Sequence, residues 1–360
     1  MLGILLQLGS VSAMAEIDLT HSPHSDSLRA YRNRDGLYGA DLVTAALVHL
    51  DFFTWLTAHP SSLGEICAHY HFARRPVDVM LTPFVANGFI KREVDRFSVT
   101  GVATDFLTAD SPSSLIFYDA SLKDRPVTMD FLQILATGMP ANWGGDDRDK
   151  AADWHRSMAD EPFARQFTAA MDCRGTLLGP AMAQSLDLAG YAKVLDIGGG
   201  SGIDACSLVA NHPHLTAVMF NQPSVAPIAR ARIAELGYAD KVSVATGDMF
   251  TYLLPTECDV HLFSNVLHDW DIAEVQQLLA ISYASLPTSG LLIIHDAFID
   301  EDKSGPLPVA EYSALLMHST QGKCYATSEY CEYLTDAGFA DIAYQNTVAD
   351  RGVMAARKPR

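Results

Sequence analysis

Apolar positions along the first half recur at helical steps. In residues 40–58, Leu42, Val43, Ala46, Leu47, Leu50, Phe53 and Leu56 mark one stripe of an amphipathic helix. A second helix restarts at Pro60–Ile66, where Ser62 and Glu65 have the spacing of a capping box. Residues 77–84 continue at helical spacing and stop before Asn87-Gly88. Residues 89–93 and 96–99 then read as short strands around a turn at Val94-Asp95. Helix, turn, helix and small hairpin predict a winged helix. Residues 104–185 read as further helices, interrupted by a loop at 140–145 that carries Trp143. A long helix is expected over 161–183, with Phe163, Phe167 and Met171 on one stripe. That stripe is either core packing or, with Trp143, a lid over a flat or apolar substrate.

The pattern changes near residue 190. Strands are expected at 193–197, 215–220, 242–246, 260–264 and 291–295, and helices at 203–211, 225–236, 272–286 and 328–337. Residues 342–349 and 351–356 suggest a closing hairpin. Alternating strand and helix predict an α/β fold with a doubly wound, Rossmann-like parallel sheet.

Composition narrows the function. The chain has 360 residues, 49% of them hydrophobic, enough for a large core. Its net charge of −18 opposes nucleic-acid binding, which needs clustered Lys and Arg. Residues 77–90 contain no Lys or Arg, so the winged helix is expected to pack on a second subunit rather than on DNA. No apolar run reaches the 18 or so residues of a membrane span. Six cysteines without a Cys-x-x-Cys pair suggest reduced thiols in the cytoplasm. Residues 2–11 are mostly apolar and precede Ala13-Met14-Ala15, but no Lys or Arg stands before them as a secretory signal needs. A packing helix, or a start at Met14, is the expectation there.

The sharpest motif is Leu195-Asp196-Ile197-Gly198-Gly199-Gly200-Ser201-Gly202, between the first strand of the second half and its helix. Glycines there let a ligand approach the backbone, and the helix start offers amide donors. Ile203 stands where a dinucleotide-binding turn wants its third glycine, which disfavours NAD. With Gly247-Asp248-Met249-Phe250, Leu267-His268-Asp269-Trp270 and Ala337-Gly338-Phe339, the sequence resembles the S-adenosylmethionine-dependent methyltransferases. More narrowly, it resembles the plant caffeic-acid-type O-methyltransferases and their bacterial natural-product relatives, from about residue 38 onward.

The resemblance implies an extension over 1–37, a winged-helix dimerisation domain over 38–110, a helical lid over 111–185 and a cofactor domain over 186–360. It implies S-adenosylmethionine as cofactor, with Asp196, Gly198, Gly200 and Gly202 around its methionine part and Asp248, Met249 and Phe250 near the adenine. Asn221 stands where the family has the ribose-binding Asp. His268 would be the general base, with Asp296 orienting it and Asp269 beside it. Relatives carry a second orienting acid where this chain has Cys324, in Gly322-Lys323-Cys324-Tyr325-Ala326.

The expected activity is O-methylation of a phenol or enol in a small metabolite by a cytoplasmic homodimer. The substrate side would include Trp143, Phe163, Phe167, Met171, His318 and Cys324. Two other readings stay open. His268, His295 and His318 all fall at segment ends facing the ligand side of such a fold. Two imidazoles, His268 and His318, with Asp269 could hold iron or zinc for C-methylation of a 2-oxo acid. The missing second acid also admits a cofactor-binding, non-methylating cyclase. A DNA-binding regulator is the non-enzyme rival.

Overall fold

The computed structural model describes residues 17–23, 25–141, 161–251 and 254–360. Among the described residues, ten strands form two sheets: β1 (Ser61–Ser62), β2 (Ile90–Glu93), β3 (Arg96–Val99), β4 (Lys193–Ile197), β5 (Thr216–Asn221), β6 (Val242–Thr246), β7 (Val260–Ser264), β8 (Leu291–Asp296), β9 (Ala340–Asn346) and β10 (Gly352–Arg357). The first half is mainly helical around the small antiparallel sheet β1-β3-β2. The expected hairpin forms, pairing Ile90 with Val99 and Glu93 with Arg96. Ser62 and Glu65 make the capping box at the start of the Leu63–Tyr70 helix.

The helix expected over 40–58 begins earlier, at Leu28, and breaks before Phe52. Asp51 there has φ 48°, the left-handed conformation that a short polar side chain tolerates, and the two segments bend by 64°. Among the described residues, no single helix is long and apolar enough to cross a membrane.

The second sheet runs β6-β5-β4-β7-β8-β10-β9. Strands β4 to β8 are parallel, and β10 closes antiparallel to both β8 and β9. The sheet is therefore mixed rather than wholly parallel, as a hairpin return requires. Alternate residues of each strand feed opposite cores: Leu195, Val218, Phe263 and Ile294 on one face, Val194, Met219, Leu262 and Ile293 on the other. Such strands read as continuous apolar runs because helices cover both faces. Strand order reverses between β4 and β7, so their carboxyl ends flank the crevice where open α/β sheets bind ligands.

Candidate active site

A cavity of about 420 Å³ opens at that crevice. Its floor is the turn after β4. Gly198, Gly200 and Gly202 have φ of +77°, +54° and +82°, values that glycine adopts without strain. A Cβ on Gly199 would stand 2.3 Å from the Asp196 carboxylate, so this turn closes over that side chain. Gly202 caps the Ile203–Asn211 helix. The ends of the neighbouring strands supply Asn221, Asp248 and Met249, all on the cavity wall. The Asn221 side-chain Oδ1 accepts the Gln222 backbone N–H at 2.8 Å, and among the described residues its NH₂ has no acceptor.

His268 lies in a short 3-10 turn, Leu267–Asp269, that follows β7. Its Nδ1 is 2.5 Å from Asp296 Oδ1 at the end of β8, and that oxygen also accepts the Ala297 N–H at 2.7 Å. With its Nδ1 hydrogen on a carboxylate, the neutral imidazole keeps a lone pair at Nε2. That nitrogen is 3.5 Å from Tyr312 Oη and 3.6 Å from Asp269 Oδ1, on two residues that line the cavity. Burial opposes the charge of Asp296, but the adjoining His268 and its hydrogen bonds hold its carboxyl below the ordinary range. Burial instead pushes Asp269 up to about 6. The turn is backed by Gly322, where a Cβ would stand 2.0 Å from the His268 carbonyl oxygen.

Other expected residues fall elsewhere. Asp196 is fully buried beneath the glycine turn and does not line the cavity. Burial, with the Asp204 charge nearby, raises its carboxyl well above the usual range. Phe167 and Met171 line the cavity, while Phe163, one helical turn away, packs with Phe167 and stays off its wall. Phe250 is also off the wall and meets Trp270 edge-on at 4.7 Å. Cys324 is buried among Tyr312 and Leu316 rather than facing substrate space, and burial raises its thiol well above the usual range. Trp143 lies outside the described residues.

His318 does line the cavity, but its Nε2 sits 2.9 Å from Asp130 Oδ2. His295 is buried with Nδ1 2.9 Å from Ser264 Oγ, and burial lowers it to about 3. Among the described residues, no three His, Cys, Asp or Glu side chains gather as a metal site. The ligand set expected from His268, His318 and Asp269 is therefore not assembled, because two of the three side chains already hold carboxylates: His268 binds Asp296 and His318 binds Asp130.

Tyr312 and Arg174 are among the cavity residues that went unforeseen. Tyr312 comes from the Leu307–Ser319 helix, which was not expected from the sequence. Arg174 shares a helical stripe with Met171, Gly175 and Leu178, all on the cavity wall, so extending the Phe163–Phe167–Met171 stripe by one turn would have found it.

The cavity can be tested against an adenosyl cofactor. Gly200 has nothing within 4 Å of where a Cβ would stand, so ligand can approach its backbone directly. A Cβ at Gly247 would meet the Phe220 ring at 2.6 Å, which keeps this wall thin. Asn265, on the wall after β7, has a buried Oδ1 with no partner among the described residues. A glycine floor, amide groups at two strand ends and an uncommitted acceptor suit a nucleoside-bearing amino acid. Residues 147–340 match the O-methyltransferase domain family. The chain is 31% identical over 330 residues to the tetracenomycin polyketide synthesis 8-O-methyl transferase of Streptomyces glaucescens, covering 90% of this chain and 94% of that one. It is 29% identical over 310 residues to a 3-hydroxy-5-methyl-1-naphthoate 3-O-methyltransferase of Streptomyces sahachiroi, covering 85% and 88%. A solved O-methyltransferase family 2 protein of Planctomyces limnophilus, in complex with apigenin, superposes with TM-score 0.84 at 27% identity, over 96% of this chain and all of that one. The glycine turn, the strand-end amides and the match over more than half its length agree that this chain belongs to the O-methyltransferase family of S-adenosylmethionine-dependent methyltransferases.

Proposed function

We propose that this methyltransferase acts on a phenolic or enolic hydroxyl of a small secondary metabolite, with His268 as general base. One observation carries the reading: the 2.5 Å His268–Asp296 contact stands at the wall of the cavity whose floor is the glycine turn. When bound, S-adenosylmethionine supplies a methyl carbon on a sulfonium, and its carbon–sulfur bond breaks, with the electron pair kept by sulfur, as the acceptor oxygen bonds that carbon. Gly198 and Gly200 would border the methionine part, Asn221 the ribose, and Asp248 with Met249 the adenine. Asp296 fixes the imidazole so that Nε2 receives the acceptor proton, and it stabilises the imidazolium that results. Phe167, Met171 and Leu315 give the cavity apolar walls suited to an aromatic ring. The hydroxynaphthoate in the name of one Streptomyces relative, and the polyketide O-methylation in the name of the other, support this choice.

We read residues 38–110 as a dimerisation domain, 111–185 as a lid and 186–360 as the cofactor domain of a cytoplasmic homodimer. Val94 and Val102, 91% and 53% exposed within residues 38–110, support a partner surface there.

The test is turnover with S-adenosylmethionine and a panel of phenols and naphthols, read as S-adenosylhomocysteine formed. His268→Ala is expected to slow turnover by about 10²–10⁴-fold while leaving S-adenosylhomocysteine affinity intact. Unchanged turnover would remove His268 from its role. No product with any hydroxyl acceptor would reject O-methylation.

A further inference from the structure

Arg174 and Tyr312 form a pair on the acceptor side of His268. Arg174 Nη1 donates to Tyr312 Oη at 2.8 Å, so the phenol hydrogen is left to point elsewhere. The nearest acceptor is His268 Nε2, at 3.5 Å. The Tyr312 ring meets the imidazole edge-on, centroids 5.6 Å apart, and the Arg351 guanidinium lies 4.6 Å from the same ring. Tyr312 is thus held on three sides and buried, and burial keeps its hydroxyl protonated as a donor. No carboxylate lies within ion-pair distance of Arg174 among the described residues, although Asp269 and Asp204 share the cavity. Its charge is therefore spent on the phenol oxygen, which polarises the O–H and strengthens it as a donor. An acceptor oxygen that approaches Nε2 from the Tyr312 side also meets Tyr312 Oη.

We propose that Tyr312 is a second catalytic residue, donating a hydrogen bond to the acceptor oxygen as it ionises, with Arg174 as its positioning residue. The inference rests on the O-methylation reading above. The acceptor O–H bond breaks, its proton passes to His268 Nε2, and the electron pair stays on the oxygen, where Tyr312 stabilises it. Such a donor matters most for a weakly acidic hydroxyl, so the site suits phenols and naphthols that arrive unionised.

The test compares wild type with Tyr312→Phe, which keeps the ring against His268 and Arg351. With 2-naphthol, Tyr312→Phe is expected to lower kcat by about 10²-fold, the scale of one lost oxyanion donor. With a nitro-naphthol that is already ionised, the loss should shrink to about 3-fold or less. A second readout needs no turnover. With S-adenosylhomocysteine present, absorbance reports the ionisation of bound nitro-naphthol, which should move to a pH about 1 higher in the variant. Arg174→Met should shift both readouts the same way by less, and serves if Tyr312→Phe does not fold. An equal loss on all acceptors, or an unmoved ionisation, overturns the proposal while wild-type turnover stands. Wild type that methylates no hydroxyl overturns the O-methylation reading and this inference with it.

Discussion

At the scale of single residues, Asp269 shows what the site costs the fold. Its carboxyl ionises near 3.8 in an unfolded chain and near 6 here, because burial disfavours the charge more than His268 favours it. A raised carboxyl favours the folded state below pH 3.8, and that contribution is lost as pH rises through 6. Ionised Asp269 at pH 8 therefore costs on the order of 3 kcal/mol. Asp269→Asn is expected to raise Tm at pH 8 and to raise it less at pH 5. An equal gain at both values, or none, would show that burial of the charge is not the cause. The charged group and its neighbour were legible in the sequence, because Leu267-His268-Asp269-Trp270 and the Asp after the following strand are local patterns. Tyr312 was not, since it reaches His268 only through the packing of a helix distant in sequence.

At the scale of elements, close helix contact shapes the cavity. The Glu161–Ser185 helix lies against the Ile203–Asn211 helix at Gly175 and Gly179, four residues apart and on one face. A Cβ at Gly175 would stand 2.2 Å from Ile203 Cγ2, and one at Gly179 would stand 2.5 Å from Ser207 Oγ. Gly175→Ala should destabilise by about 1–3 kcal/mol and weaken S-adenosylhomocysteine binding, because Ile203 directly follows the glycine turn. Adding Ile203→Ala removes the clashing methyl, so the double variant should be more stable than the sum of the single losses. Additive losses in denaturant midpoint would place the strain elsewhere. Most elements of the second half were legible from alternating strand and helix patterns, with bounds that agree within about two residues apart from the closing hairpin, whose strands begin and end up to three residues away. The Leu307–Ser319 helix was not. It buries Val309, Ala310 and the whole run from Tyr312 to Met317, so no single apolar stripe announces it. The break at Asp51 was hidden for the opposite reason, since the apolar stripe continues across it while the backbone does not.

At the scale of the whole molecule, the first half braces the active site of the second. Arg75 donates to the Gly322 carbonyl at 2.7 Å and to the Gly138 carbonyl at 2.7 Å, tying its helix to the segment under His268. Beside it, Asp78 and Glu329 share Lys303 and Lys323, with Nζ of Lys323 2.6 Å from Asp78 Oδ2 and 2.7 Å from Glu329 Oε1. Burial opposes the Asp78 charge, but the two ammonium groups hold its carboxyl down at about 2. Burial likewise opposes the charge of Lys323, and the two carboxylates raise it above its ordinary value. The depressed Asp78 gives stability that is full above 3.8 and lost as pH falls through about 2. The raised Lys323 gives stability that is full below 10.5 and lost only as pH climbs through its higher folded value. The cluster thus works across the neutral range, and Asp78 alone contributes on the order of 2 kcal/mol there. Lys323→Met leaves two buried carboxylates with one cation and should cost about 3 kcal/mol at pH 7, read from denaturant midpoints. That penalty should shrink between pH 4 and pH 2, as Asp78 and Glu329 take up protons and no longer need the ammonium. A penalty that stays constant over this interval would mean that Lys323 stabilises by packing its chain against Tyr325, whose ring its Nζ approaches at 5.2 Å, rather than by its charge.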